Sequence, residues 1–237
     1  MCKLQTPPEL SGLRGRLHRA RDCGKMTGLL NERRYTERME LLLMRHSITP
    51  GNLARRFVGS SDQPLAPEGE ALARKTAPLL EPVEHLYRSP MLRCRQTAEL
   101  LWPGVETTVI DDLRETDFGP LEGMDNSRAK QTELYRRWTR GEIGPGEAVE
   151  DSRPRAVRAI RTIGRDAAEQ GWRKVAVVAH GGLFMGLLAQ YGRPDRSYYD
   201  WLLPNCGGYR VTLETDPLEL LVTGTVGQVQ EENRPII

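Results

Sequence analysis

The 237-residue chain carries 34 Lys or Arg against 32 Asp or Glu, a formal net charge of +2, and 38% hydrophobic residues. No stretch approaches the roughly 20 apolar residues of a membrane-spanning helix, and Cys2, Cys23, Cys94 and Cys206 have neither close pairs nor metal-ligand spacing. These features disfavour a membrane protein, a disulfide scaffold and a cysteine-held metal, and predict one α/β domain with a leader, in a reducing, cytoplasmic compartment.

Residues 1–38 form the basic leader. They hold nine Lys or Arg against four Asp or Glu, a balance of +5 that leaves −3 for the remainder. They contain no apolar core of signal-peptide length. Met39 lies just before the first strand-like run and is read as the start of the functional protein, with the leader as a disordered extension or an upstream start assignment. A basic arm touching nucleic acid or anionic lipid has the charge but lacks aromatic interleaving. Asp22, Glu32 and Glu37 interrupt any organelle-targeting pattern.

The run Leu41-Leu42-Leu43-Met44 reads as a buried strand that ends in Arg45-His46 and then in the turn-rich Ser47-Ile48-Thr49-Pro50-Gly51-Asn52. An Arg-His pair at a strand's carboxyl end suits a phosphate, because ligands of open α/β sheets bind at that edge. Downstream, Pro78 predicts that a helix stops or kinks near Ala77. The segment from Glu84 to Arg88 reads as a strand, with His85 in it or at its edge. Ser89 is then a candidate N-cap and Pro90 a candidate first helical residue, which places Arg93 in the first turn.

Asp125 to Glu142 is predicted helical, followed by a Gly-Pro-Gly-Glu loop and a long amphipathic helix. In that helix Val157, Ile160, Ile163 and Ala167 recur at helical spacing among Arg158, Arg161 and Arg165, and Gly171 stops it. The run Val175 to Ala179 is a strand ending at His180. Gly181-Gly182 then open a helix whose backbone N–H groups and dipole favour an anion beside that histidine. Strands at Tyr209 to Leu213 and Leu218 to Thr223, joined by a turn at Asp216-Pro217, predict an antiparallel pair at a sheet edge. No phosphate-cradling glycine loop, dinucleotide fingerprint or serine-hydrolase elbow is present.

Four motifs occur in order: Arg45-His46 with Thr49 and Asn52; Ser89-Pro90-Met91-Leu92-Arg93 with Gln96-Thr97-Ala98; Leu113-Arg114-Glu115-Thr116-Asp117-Phe118-Gly119; and Ala179-His180-Gly181-Gly182. Together they resemble the histidine phosphatase superfamily, which includes cofactor-dependent phosphoglycerate mutases and many bacterial phosphatases. The resemblance runs from about Met39 to Leu218–Thr223. It implies a three-layer α/β/α sandwich over residues 39–225, with a mostly parallel sheet, an antiparallel edge and a small helical cap over the active site. Residues 226–237 would be a tail.

The resemblance also implies roles. His46 matches the nucleophile that forms a phosphohistidine, and Glu115 the proton donor that later activates water. Arg45, Arg93 and His180 match the groups that clamp the phosphoryl oxygens, with Asn52 as a neutral donor. Thr49, Ser47 and Gly181 complete the expected substrate-binding set. Phosphoryl transfer depends mostly on positioning and charge neutralisation, so neither metal nor other cofactor is expected.

Ser47 stands where the family usually has Gly, Ile48 where it often has an acidic residue, and Ala66 where it commonly has a capping hydroxyl. Only 65 positions separate Glu115 from His180, less than in the mutases, whose insertions close over a bisphosphate intermediate. The expected activity is hydrolysis of a small phosphorylated metabolite, with alpha-ribazole phosphatase and broad-specificity phosphatase as subfamily readings. Phosphoglycerate mutase and a non-catalytic phospholigand-binding module are the alternatives. Tyr135, Trp138, Arg136, Arg137 and Arg140 either contact the substrate or pack the cap and face solvent. Neither membrane nor nucleic acid is an expected partner, and a homodimer is compatible with the sequence.

Overall fold

A computed structural model describes residues 39–140, 142, 146–147 and 149–227. The leader, the tail beyond Gly227 and part of the Gly-Pro-Gly-Glu loop lie outside the described residues. The elements in chain order are β1 (Met39–Arg45), α1 (Pro50–Leu53), α2 (Pro67–Thr76), β2 (His85–Arg88), α3 (Leu92–Leu101), β3 (Thr107–Val109), α4 (Asn126–Ala129), α5 (Glu133–Thr139), α6 (Val149–Gln170), β4 (Lys174–Ala179), α7 (Gly181–Tyr191), β5 (Gly192–Arg193), β6 (Gly207–Thr215) and β7 (Leu218–Gly227).

The strands form one sheet in the order β3-β2-β4-β1-β6-β7-β5. The strands β3, β2, β4 and β1 run parallel, whereas β6 is antiparallel to both β1 and β7. The β6–β7 pair is not the outermost edge, because the two-residue β5 adds to β7 in parallel. Strand β7 also continues to Gly227, four residues past the predicted end.

Successive side chains of a strand point to opposite faces, and here both faces are covered. Leu41, Leu43, Val175 and Val177 pack with Ile160, Ile163 and Ala167 of α6 and Leu183 and Phe184 of α7. Leu42, Met44, Ala176 and Val178 pack with Ala73 of α2 and Cys94, Ala98 and Leu101 of α3. Burial on two sides explains why β1 and β4 read as continuous apolar runs rather than alternating ones.

Local chemistry sets several boundaries as expected. Helix α2 has Ala66 at its N-cap with no side-chain cap, and it ends at Thr76, where Ala77–Leu79 tighten into a 3₁₀ turn around Pro78. Gly171, at φ +73°, stops α6. Two expectations need correction. Helix α3 begins at Leu92 with Met91 as N-cap, not at Pro90. Asp125 to Glu142 is two short helices rather than one, because Asp125 caps α4 and Thr132 starts a second helix by accepting from the N–H of Tyr135. Among the described residues no helix is long and apolar enough to cross a membrane.

His85 lies in β2 at the end of the sheet opposite His46. Its ring stacks on Trp172 at 4.0 Å, while Tyr87 donates to Asp166 at 2.6 Å. It is a packing residue.

Candidate active site

Strand register brings the two motif histidines together. Arg45 pairs with Ala179 at the ends of β1 and β4, so His46 and His180 are the next residues on neighbouring parallel strands. The His46 N–H donates to the Ala179 carbonyl at 3.0 Å, and the ring centroids are 5.3 Å apart. Strand β2 ends at the same edge, where the Ser89 N–H donates to Val178. Both histidines are buried.

Their hydrogen bonds define their tautomers. Nδ1 of His46 lies 2.7 Å from the Ser47 carbonyl; a carbonyl only accepts, so Nδ1 carries the proton and Nε2 keeps a lone pair. Nδ1 of His180 lies 3.3 Å from a terminal nitrogen of Arg93, and a guanidinium only donates. Nε2 of His180 therefore carries its proton and donates to Ser89 Oγ at 2.9 Å. Burial pushes the pKa of each ring well below the ordinary histidine value, with the positive charge of Arg93 adding to the effect in both. The rings are thus neutral near neutral pH.

Arg93 is fully buried in the first turn of α3 and held by the carbonyls of Ser61 at 2.8 Å and Gly59 at 2.7 Å. Arg45 donates to the Leu203 carbonyl at 2.6 Å. The Nε–H groups of both arginines are buried without an acceptor among the described residues. A fully buried and a half-buried guanidinium that retain free Nε–H donors beside two neutral imidazoles make a site for a multiply charged anion.

Glu115 closes the cluster from the irregular 114–118 loop. Its carboxylate accepts from Gly182 N–H at 3.0 Å and Leu183 N–H at 3.1 Å. It thereby caps α7, whose own N-cap, His180, contributes no side-chain hydrogen bond. A Cβ on Gly182 would stand 2.8 Å from the carboxylate, and one on Gly181 3.2 Å from Arg45 Nε, so both glycines permit the close packing. Burial raises the Glu115 pKa above the usual carboxylate value, opposed by the N–H groups of Thr116 and Gly182 and by the two arginines.

The remaining expected residues separate. Asn52 accepts at Oδ1 from Thr49 N–H at 3.1 Å and from Asn205 Nδ2 at 3.2 Å, which turns its NH2 group away from those two donors. Ser47 and Thr49, expected to bind substrate, have their hydroxyls engaged elsewhere. Ser47 Oγ donates to the Gly69 carbonyl at 2.7 Å, and Thr49 Oγ1 caps α1 by accepting from Asn52 N–H. Their contribution is to hold the loop after His46.

Three participants carried no sequence signal of a site role. Ser89 stands in a motif but is given no role beyond a helix cap, yet its hydroxyl orients His180. Asn205, in the turn before β6, donates to the carbonyl of His46 at 3.0 Å. Arg155 reads as one more charge on an amphipathic helix, yet it donates to the carbonyls of Asp112 and Arg114 beside Glu115. The cap aromatics pack together: Trp138 lies 5.5 Å from Phe118 and 5.8 Å from Tyr135, and Tyr135 lies 6.1 Å from Phe57. Arg136, Arg137 and Arg140 are exposed and paired with Glu133 or Glu142.

Residues 41–224 match the model of the histidine phosphatase superfamily, branch 1. The chain is 31% identical over 185 residues, 73% of its length and 84% of the relative, to a protein of Escherichia coli O1:K1 / APEC named "Probable phosphoglycerate mutase GpmB". Among solved structures it is similar to the alpha-ribazole phosphatase from Shigella flexneri, at TM-score 0.65 and 24% identity, covering 78% of this chain and 95% of that one. A mycobacterial glucosyl-3-phosphoglycerate phosphatase matches at TM-score 0.66 and 22% identity, covering 78% and 97%. At these identities the two structures speak for the fold.

Proposed function

This chain belongs to branch 1 of the histidine phosphatase superfamily, an enzyme family of phosphatases and mutases, and from that premise we propose that it hydrolyses a small phosphomonoester through a phosphohistidine on His46. The observation that carries the proposal is the fixed tautomer of His46, whose Nδ1–H is committed to the Ser47 carbonyl while its ring lies beside His180 and within the field of the two arginines.

In the proposed reaction the Nε2 lone pair of His46 forms a bond to phosphorus as the bond to the leaving oxygen breaks. Glu115, protonated, gives its proton to that oxygen. The phosphorylated ring is cationic, and its Nδ1–H remains bonded to the Ser47 carbonyl. Arg45 and Arg93 hold the phosphoryl oxygens, with Asn52 donating from its NH2 group. His180, accepting at Nδ1 from Arg93 and donating at Nε2 to Ser89, keeps the Arg93 guanidinium turned to the phosphate dianion. Water next attacks phosphorus, the carboxylate of Glu115 takes its proton, and His46 leaves with its electron pair restored. The charge neutralisation such a transfer needs comes from side chains.

The small cap supports transfer to water. Among the described residues between Glu115 and α6, the α-helices are the short α4 and α5, and the aromatic residues of α5 pack on Phe57 and Phe118. Mutase activity is the second reading, favoured by the name of the 31% identical relative. The experiment is phosphate release, with chelator present, from p-nitrophenyl phosphate, alpha-ribazole phosphate, sugar phosphates, nucleotides and 3-phosphoglycerate. Release from one or more supports hydrolysis. Isomerisation of 3-phosphoglycerate without release would replace this reading by the mutase one.

A further inference from the structure

Glu115 sits on a loop with no ladder to hold it. Residues 114–118 belong to no helix or strand, so their backbone carbonyls need partners from elsewhere. A single side chain supplies several. Arg155, near the start of α6, donates through Nη1 to the carbonyls of Asp112 at 2.9 Å and Arg114 at 2.7 Å, and through Nη2 to that of Glu115 at 3.5 Å. The guanidinium is itself held by both oxygens of Glu147, at 3.1 and 2.7 Å. It is only 15% exposed. The backbone N–H of Glu147 returns to the Asp117 carbonyl at 2.9 Å, so the Arg155–Glu147 pair grips the loop on both sides of the acid.

Glu115 is therefore fixed at two ends, its carboxylate by the start of α7 and its main chain by α6. We propose that Arg155 is a positioning residue for proton transfer, which aims the Glu115 carboxyl at the leaving oxygen by fixing the 112–115 backbone. The inference rests on Glu115 being the proton donor. Arg suits the task better than Lys, because a planar fork reaches several carbonyls and one carboxylate at once.

Leaving-group chemistry separates positioning from simple support of the fold. A p-nitrophenolate departs without a proton, whereas the alkoxide of glycerol 2-phosphate must receive one. The test compares kcat/KM for these two esters in wild type, R155A, R155K and E115Q. Arg155→Ala is expected to leave p-nitrophenyl phosphate nearly unchanged and to slow glycerol 2-phosphate by about tenfold to a hundredfold, part of the roughly 10²–10⁴-fold that a general acid contributes. Arg155→Lys should fall between; if R155A does not fold, R155K is read by the same ratio. Equal losses on the two esters, or none on either, overturn the inference provided E115Q itself shows the selective loss. If E115Q shows no selectivity, the assignment of Glu115 fails, and the inference with it.

Discussion

The Nδ1 of His46 lies 2.7 Å from the carbonyl oxygen of Ser47, the residue that follows it, and this bond leaves Nε2 as the ring nitrogen with a free lone pair. His46→Ala removes the proposed nucleophile and keeps the backbone bond to Ala179. Phosphate release should fall by about 10⁴-fold or more, the scale seen when a covalent nucleophile is lost, while circular dichroism stays that of the wild type. Steady-state release by purified H46A checks this.

Activity should favour acidic pH. His46 must be neutral to attack, and burial holds its pKa well below the ordinary value, so the nucleophile stays available into acid. Glu115 must be protonated to donate, and burial raises its pKa, so the donor is lost as pH climbs. A profile of kcat/KM on an alkyl monoester should peak below neutrality. Glu115→Gln should abolish the alkaline fall and leave the acid limb, where the substrate ionises to the dianion at about pH 6.

Stability should respond to the same groups. Below an unfolded value of about 6.5, the unfolded chain protonates its histidines while His46 and His180 stay neutral in the fold. The unfolded state then binds more protons, so stability is present above that pH and lost as pH falls, by up to about 1.4 kcal/mol per pH unit for each ring. Glu115, raised in the fold, acts oppositely between its unfolded and folded values. Urea midpoints between pH 7.5 and 5.5 should decline, and more shallowly in H46A.

Ser89 and Ser47 should behave differently. Ser89→Ala leaves the Nε2–H of buried His180 without its oxygen acceptor, with only the Cys94 sulfur at 3.5 Å. This should cost about 1–3 kcal/mol of stability and lower kcat/KM. Ser47→Gly, which restores the usual family residue, loses the bond to Gly69 and a contact with the Cys206 thiol. It should cost about 1 kcal/mol and leave kcat/KM close to wild type. Denaturant midpoints beside kinetics for both variants make the comparison.

Much of the candidate site's placement was legible because single residues at strand ends carry it. The apolar runs before His46 and His180 placed both rings at one sheet edge, and the glycines after His180 marked the helix start that Glu115 caps. What escaped depends on tertiary partners. Ser89 resembles a helix cap in sequence, but His180 takes its hydroxyl and α3 starts later, at Leu92. Ser47 and Thr49 neighbour His46 in sequence, yet their hydroxyls turn to Gly69 and to α1. Arg155 cannot be told from the other arginines of α6 until the 112–115 loop is seen against it. Strand β5 has only two residues, too few for a period.

The most direct test of the account is to trap the covalent intermediate. Rapid quenching during turnover of a radiolabelled phosphomonoester should yield a phosphoenzyme that is stable to alkali and labile to acid, with peptide mapping placing the phosphate on His46 and none formed by H46A. Label on another residue, or phosphate release by H46A at a rate near wild type, would contradict the phosphohistidine mechanism.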